Sequence, residues 1–322
     1  MSVAAHDLWR PSSGCDDDCL PAVGEVPTVP VARRVLRLVA AGGMLLAGVG
    51  VAVLLPVLPA SERQALLRGW ARGTVRAFGV RLVIKGRLPR RRALLVANHV
   101  SWLDILAVLA VAPTRMVAKR EIRSWPVVGA LAAVAGTVFV DRSRPRALPA
   151  TVRRLADALR AGRSVAVFPE GTTWCAGDGA AECRPGGGFR PAMFQAAIDA
   201  GAPVVPLRLG YRSGDTGAGT TVAAFLGADT LLRSVARVVA ARDLVVSVTV
   251  AAALHPGQDA DRRLLARAAE SAVHLVAAAP ARTRLRPVAA LSPAVPAVSA
   301  VSAVPAVSAV PAVPGRGLDL AA

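Results

Sequence analysis

The stretch Ala93-Leu94-Leu95-Val96-Ala97-Asn98-His99-Val100-Ser101-Trp102-Leu103-Asp104 decides how this chain is read. Five apolar residues in a row, Ala93 to Ala97, read as a strand covered on both faces. Asn98 ends the run, and an apolar helical pattern begins near Trp102. His99 therefore falls in a strand-to-helix turn, where side chains project from the carboxyl edge of a sheet. Asp104, five positions on, lands in the first helical turn and can fold back on the imidazole. A carboxylate on one ring nitrogen fixes the tautomer and stabilises the imidazolium that forms on proton uptake. The same spacing lets Ser101 and Asp104 act as a helix-capping pair, a role compatible with the first. The chain has four histidines, and His6, His255 and His274 have no comparable neighbours in sequence.

Outward from this unit the pattern alternates. Strands are predicted at Val80–Ile84, Ala93–Ala97, Arg115–Ala118, Thr137–Val140, Ser164–Phe168, Val204–Leu209 and Leu244–Val250. Helices are predicted at Trp102–Ala112, Trp125–Ala135, Pro145–Ala161, Pro191–Ala200, Asp229–Ala240 and Ala260–Ala278. Such alternation argues for an α/β domain with a largely parallel central sheet flanked by helices, over residues 80–280. A second polar turn, Phe168-Pro169-Glu170-Gly171-Thr172, again follows an apolar strand. Its Glu170 is placed to bind acceptor hydroxyls, and Gly171 lets the backbone approach a ligand closely. By itself this segment is an ordinary Pro-Gly turn.

The composition points to a membrane. Of 322 residues 54% are hydrophobic and only 19% charged, with 39 Lys+Arg against 21 Asp+Glu. A net charge of +18 attracts anionic partners, either nucleic acid or an anionic lipid surface. Aromatic residues are scarce, at 4%, and no zinc-finger or basic-region pattern occurs, so specific nucleic-acid binding is disfavoured. Leu38 to Ala60 is uninterrupted by charge and long enough to cross the hydrocarbon core. Pro56 and Pro59 break its end, so a helix that enters one leaflet and returns is the alternative to a full span. Arg33, Arg34 and Arg37 precede it and Arg63, Arg68, Arg72 and Arg76 follow it, a symmetry that re-entry accommodates. Residues 61–78 read as a basic amphipathic helix capped by Ser61, with Leu66, Leu67, Trp70, Val75 and Phe78 on its apolar face. Such a helix lies on a membrane surface or packs on the domain. Residues 31–79 are thus a membrane-anchoring helical region, residues 1–30 a poorly ordered segment, and residues 281–322 a disordered Pro/Ala/Val-rich tail. Cys15, Cys19, Cys175 and Cys183 are read as reduced, incidental thiols of a cytosolic protein; a four-Cys zinc site is the alternative, disfavoured because neither pair has the tight spacing of a zinc knuckle. No metal and no bound cofactor is expected.

His99 and Asp104 followed by Phe168-Pro169-Glu170-Gly171-Thr172 strongly resemble the glycerolipid acyltransferase family of lysophosphatidic acid acyltransferase type. Two further blocks fit in order: Gly136-Thr137-Val138-Phe139-Val140-Asp141-Arg142 and Val205-Pro206-Leu207. The likeness spans roughly residues 80–255. It implies transfer of a fatty acyl group from acyl-CoA or acyl-ACP to the free hydroxyl of a lysolipid. The first acceptor implied is 1-acyl-sn-glycerol-3-phosphate, giving phosphatidic acid in phospholipid biosynthesis. It further implies an active site on the cytoplasmic side of the cell membrane. By the same resemblance His99 is the general base and Asp104 its orienting partner. Glu170, Gly171 and Thr172 bind the acceptor, and Arg142 and Arg190 hold its anionic group.

The sequence departs from the family pattern at Thr173, where an Arg is usual. Arg142, Arg184 or Arg190 can replace the missing cation, or the acceptor lacks a glycerol phosphate. Relatives with Thr or Ser at this position include enzymes that acylate lyso-ornithine lipid, which is the alternative function. A hydrolase would want a Gly-x-Ser-x-Gly elbow, which is absent. A non-catalytic membrane-anchored binding protein is the remaining alternative.

Overall fold

The computed structural model describes residues 11–22, 24–89, 92–176, 183 and 188–275. Two helices come first, α1 (Val31–Leu54) and α2 (Ala60–Ala77). The α/β part follows in the order β1 (Arg81–Lys85), β2 (Leu94–Ala97), α3 (Leu103–Val111), β3 (Arg115–Lys119), α4 (Val128–Val134), β4 (Val138–Val140) and α5 (Leu148–Arg160). It continues through β5 (Val165–Val167), α6 (Phe194–Ala200), β6 (Val204–Ser213), α7 (Leu231–Ala240), β7 (Leu244–Val250) and α8 (Arg262–Leu275). Every predicted strand and helix of this part is present, with ends shifted by a few residues. The tail over 281–322 lies outside the described residues.

The strands form one seven-stranded sheet in the order β1-β7-β6-β2-β5-β3-β4. Every pairing is parallel except that of β6 with β7. Strand β2 sits at the centre. Its alternation divides the core: Leu95 and Ala97 face one apolar layer with Leu103, Val108 and Val238. Leu94 and Val96 face the other, with Leu155, Phe194 and Val273. A strand buried on both faces has no use for polar side chains, which explains the unbroken apolar run from Ala93.

The ladder stops at a specific residue. Beyond the pair Ala97 and Leu207, the Asn98 side chain takes over the pairing. Its Oδ1 accepts from Leu209 N–H at 2.8 Å and its Nδ2 donates to Leu209 O at 2.9 Å. The side-chain amide thus stands in for one backbone peptide. The main chain of residue 98 is released from the sheet and free to turn, which is what carries His99 off the edge.

The two leading helices form a hairpin. Gly48 has no side chain where the Trp70 ring lies, 3.0 Å from where a Cβ would sit, and Trp70 Nε1 donates to Met44 O at 2.8 Å. Close approach of the helices depends on that small residue. The start differs from the expectation: α2 follows Pro59, and no side chain caps it, so Ser61 does not cap. One face of α2 packs between α1 and α3, with Ala71, Thr74 and Val75 buried. Helix α1 is different. It is 24 residues long with a mean hydropathy of 1.9, and little of it is covered by protein. It begins at Val31, where the anchoring region is expected to start, and carries Arg33, Arg34 and Arg37 ahead of the uncharged run from Leu38. Arg37 donates to both Val239 O and Ala241 O at 2.8 Å.

The segment before α1 was expected to be poorly ordered over residues 1–30. Residues 1–10 and 23 lie outside the described residues, but described parts of the segment pack on the domain. Val29 is buried, its N–H donates to Ala240 O at 2.9 Å, and Arg242 N–H donates to Pro27 O at 2.8 Å. Irregular chain of this kind is held by single edge contacts that leave no sequence period.

Replacing Asn98 by Ala strips two bonds from β6 and leaves Leu209 N–H and C=O unpaired in the core. We expect a loss of about 2–4 kcal/mol of stability, read by denaturant unfolding of the detergent-solubilised protein.

Candidate active site

The parallel strands β2, β5, β3 and β4 are consecutive neighbours, so their carboxyl ends share one edge. His99 follows β2, Glu170 follows β5, Lys119 ends β3 and Arg142 follows β4. Four polar turns are thereby set side by side, about 5 Å apart per strand.

Asp104 is the centre of this edge and is completely buried. One carboxylate oxygen, Oδ2, accepts from Val100 N–H at 2.6 Å, Ser101 N–H at 2.8 Å and the His99 Nδ1 at 2.9 Å. Oδ1 accepts from the Tyr211 hydroxyl at 2.5 Å. Four donors and no acceptor converge on the group, the arrangement a carboxylate anion requires. The bond from Ser101 N–H to Asp104 is one half of the capping box expected from sequence, but α3 is capped at Trp102 with no side-chain bond, so Ser101 is not its N-cap. Tyr211, the only tyrosine in the chain, was not singled out from sequence. It lies on β6, and nothing in its local pattern points to Asp104. Burial first, and then the neighbouring Asp104 charge, push its pKa well above the ordinary value, so the phenol remains a donor.

The imidazole is held from several sides. With Nδ1 engaged by Asp104, Nε2 carries the lone pair. The ring stacks on Phe168 at 4.0 Å between centroids and 10° between planes. The backbone is pinned too: His99 N–H donates to Glu170 Oε2 at 2.8 Å, and Trp174 N–H donates to His99 O at 3.0 Å. The side chain is still 19% exposed, so Nε2 can meet a substrate.

Glu170 is placed differently from the expectation that it offers its carboxylate to acceptor hydroxyls. It is 1% exposed. Its Oε2 holds the His99 main chain, and its Oε1 lies 3.5 Å from His274 Nε2. His274, dismissed on sequence grounds, therefore belongs to the site; its distance along the chain hid the contact. Gly171 has φ +78°, and a Cβ there would meet Pro11 Cγ at 2.7 Å, so glycine is required twice over. The Thr173 hydroxyl donates to Phe225 O. It is turned into the protein and places no cation at this position.

The positive charge comes from elsewhere. Lys119, Arg142 and Arg190 cluster at the β3–β4 end of the edge. Burial lowers the pKa of each. Arg142 further lowers that of Lys119, and Arg190 that of Arg142, while Glu121 opposes both effects. Desolvated like charges held together are arranged for an anion. Lys119 was missed because it reads as the polar end of a strand. Arg190 also ties its segment to this edge through its N–H to Pro169 O at 3.1 Å. Arg184 lies outside the described residues. A cleft of about 480 Å³ lined by Arg115, Arg123, Arg154 and Arg163 opens at the opposite edge, where these strands begin, and contains none of the His99 machinery.

This arrangement can take a proton from a hydroxyl beside a bound anion. A family model described as acyltransferase matches residues 79–210. A lyso-ornithine lipid O-acyltransferase of Pseudomonas aeruginosa is 36% identical over 78% of this chain and 95% of its own length. This chain belongs to the glycerolipid acyltransferase family. A 1-acyl-sn-glycerol-3-phosphate acyltransferase of Neisseria meningitidis is 34% identical over 68% of the chain and 83% of its own length. The fold matches that of the crystal structure of the Thermotoga maritima 1-acyl-sn-glycerophosphate acyltransferase PlsC, with TM-score 0.54 and 18% identity over 77% of this chain and 96% of that one. The protein is thus an acyltransferase of lipid metabolism, with an N-terminal apolar helix suited to membrane anchoring.

Asp104→Asn keeps the size of the side chain but removes the charge that would stabilise the imidazolium if His99 takes up a proton in turnover. We expect kcat for acyl transfer to fall by about 10³–10⁴-fold, as carboxylate-to-amide changes do in His–Asp pairs, with little change in the acceptor KM. Thiol release from acyl-CoA measures both.

Proposed function

We propose that the protein moves a fatty acyl group from a thioester donor, acyl-CoA or acyl-ACP, to the hydroxyl of a lysolipid whose headgroup carries an anionic group. The observation that carries this reading is the His99 imidazole, oriented by buried Asp104 at one end of a sheet edge whose other end gathers Lys119, Arg142 and Arg190. Nε2 takes the hydroxyl proton as the acceptor oxygen attacks the thioester carbonyl. The C–S bond then breaks, and the imidazolium returns the proton to the leaving thiolate. No covalent acyl-enzyme forms. Glu170 acts through His99 as a positioning residue, fixing its main chain, and the three cations hold the acceptor's anionic group.

For the acceptor, lyso-ornithine lipid is favoured by Thr173, which supplies no cation, and by the similarity to the P. aeruginosa enzyme over most of its length. The cations then meet the ornithine carboxylate, and Glu121 beside them suits its ammonium group. A second reading, 1-acyl-sn-glycerol-3-phosphate giving phosphatidic acid, is favoured by the number of cations, which suits a phosphate, and by the Neisseria relative.

The anchoring of α1 follows from its ends. Its start is tied to the C-terminal end of α7 through Arg37, and its end turns back into α2, which packs on α3. Val35, Leu36, Val39, Leu46, Val53 and Val57 are left exposed. We infer that the hairpin dips into one leaflet and keeps His99 at the cytoplasmic surface.

Thiol release with a panel of lysolipids tests the reading. His99→Ala should lose about 10²–10⁴-fold in turnover; undiminished turnover would sink the mechanism. Lyso-ornithine lipid should be used in preference to lysophosphatidic acid, and Arg142→Ala should raise KM for either. A double change, Leu46→Asp with Val53→Asp, should leave the protein folded yet no longer retained on anionic vesicles.

A further inference from the structure

The four cysteines, far apart in sequence, meet at one point. Their Sγ atoms all lie within 4.8 Å of one another, making this the one group of ligating side chains among the described residues suited to a metal ion. Cys15 and Cys175 are buried, and Cys19 and Cys183 are partly exposed. A tetrahedral zinc with bonds of about 2.3 Å requires sulfurs about 3.8 Å apart. Cys19 Sγ and Cys183 Sγ are 3.6 Å apart, close to that edge and well beyond the length of a disulfide. A cluster of several irons would need the sulfurs spread more widely.

The surrounding backbone suits ligation as well. A 3-10 turn at Asp17–Cys19 folds the chain so that Cys15 and Cys19 reach the same point. Cys175 N–H donates to Cys15 Sγ at 3.1 Å. An amide proton aimed at a sulfur is the outer contact that supports a thiolate ligand. Four soft sulfur ligands in a tetrahedron select zinc over hard cations.

We propose that Cys15, Cys19, Cys175 and Cys183 bind one Zn²⁺ ion as a structural site. The ion displaces four thiol protons to solvent and leaves no open coordination position, so it performs no chemistry. Its work is mechanical. Cys175 follows Trp174, whose N–H holds the His99 carbonyl. Pro11, a few residues before Cys15, lies over Gly171. The ion therefore staples the leading segment across the turn that carries Glu170 and Thr172. Sequence spacing disfavoured a zinc site because the ligands come as two loose pairs, and only the fold brings the pairs together.

Metal analysis of the full chain, purified in detergent without chelator, tests this directly. One zinc per chain is expected, in wild type and equally in His99→Ala. Replacing the zinc by Co²⁺ should give the sulfur-to-metal charge-transfer band and the visible bands of a tetrahedral four-thiolate site. Both signals should be lost in Cys19→Ser and Cys183→Ser, the partly exposed positions. Chelation should lower the unfolding temperature of the wild type, and added zinc should restore it. Wild-type protein that carries no stoichiometric metal, holds iron instead, or contains a Cys19–Cys183 disulfide would overturn the proposal. So would full zinc retention in Cys19→Ser. Because wild-type metal content is decisive by itself, a variant that fails to fold does not protect the idea.

Discussion

A single buried carboxylate organises this protein. Asp104 has no access to water, and an ion in that position persists only if donors replace its hydration. The turn after β2 supplies two main-chain N–H groups, the imidazole a third donor, and Tyr211 from β6 the fourth. Each donor is also a constraint. The two amides set the path of the turn, the imidazole fixes its own tautomer, and Tyr211 links the turn to the neighbouring strand. The His99–Asp104 pair proposed to do the chemistry is thus built into the turn that joins the central strand to α3.

The second carboxylate plays a different part. Glu170 is buried as deeply, yet it holds His99 by the main chain rather than by the ring. Asp104 and Glu170 therefore divide the task of holding one histidine, with Phe168 beneath it supplying an apolar platform. The substrate contacts proposed above fall to Lys119, Arg142 and Arg190, which are partly desolvated. The proton acceptor and the anion site proposed here would together match a lysolipid, whose reacting hydroxyl lies near its charged group.

Much of this was legible in the linear chain. Apolar runs separated by helical patterns reported the α/β layers, since a strand covered on both faces must be apolar throughout. His99 with Asp104, and Glu170 with Gly171, were visible because each pair lies within one turn. Arg142 and Arg190 were named through their motifs. The register of α1 was read less well, because its three leading arginines looked like a flank while Arg37 in fact bonds into the domain.

What the sequence by itself determined is therefore local: the strands and helices, the strand-to-helix turn of His99, and the apolar anchor that precedes them. What only the tertiary structure decided is which distant residues meet. Tyr211 reaches Asp104, His274 approaches Glu170, Lys119 joins the arginines, and four scattered cysteines converge. The physical reason is that periodicity and short motifs record contacts within an element or a turn. Contacts between elements follow from strand order and from the burial of polar groups that must find partners, and neither leaves a repeating signal along the chain.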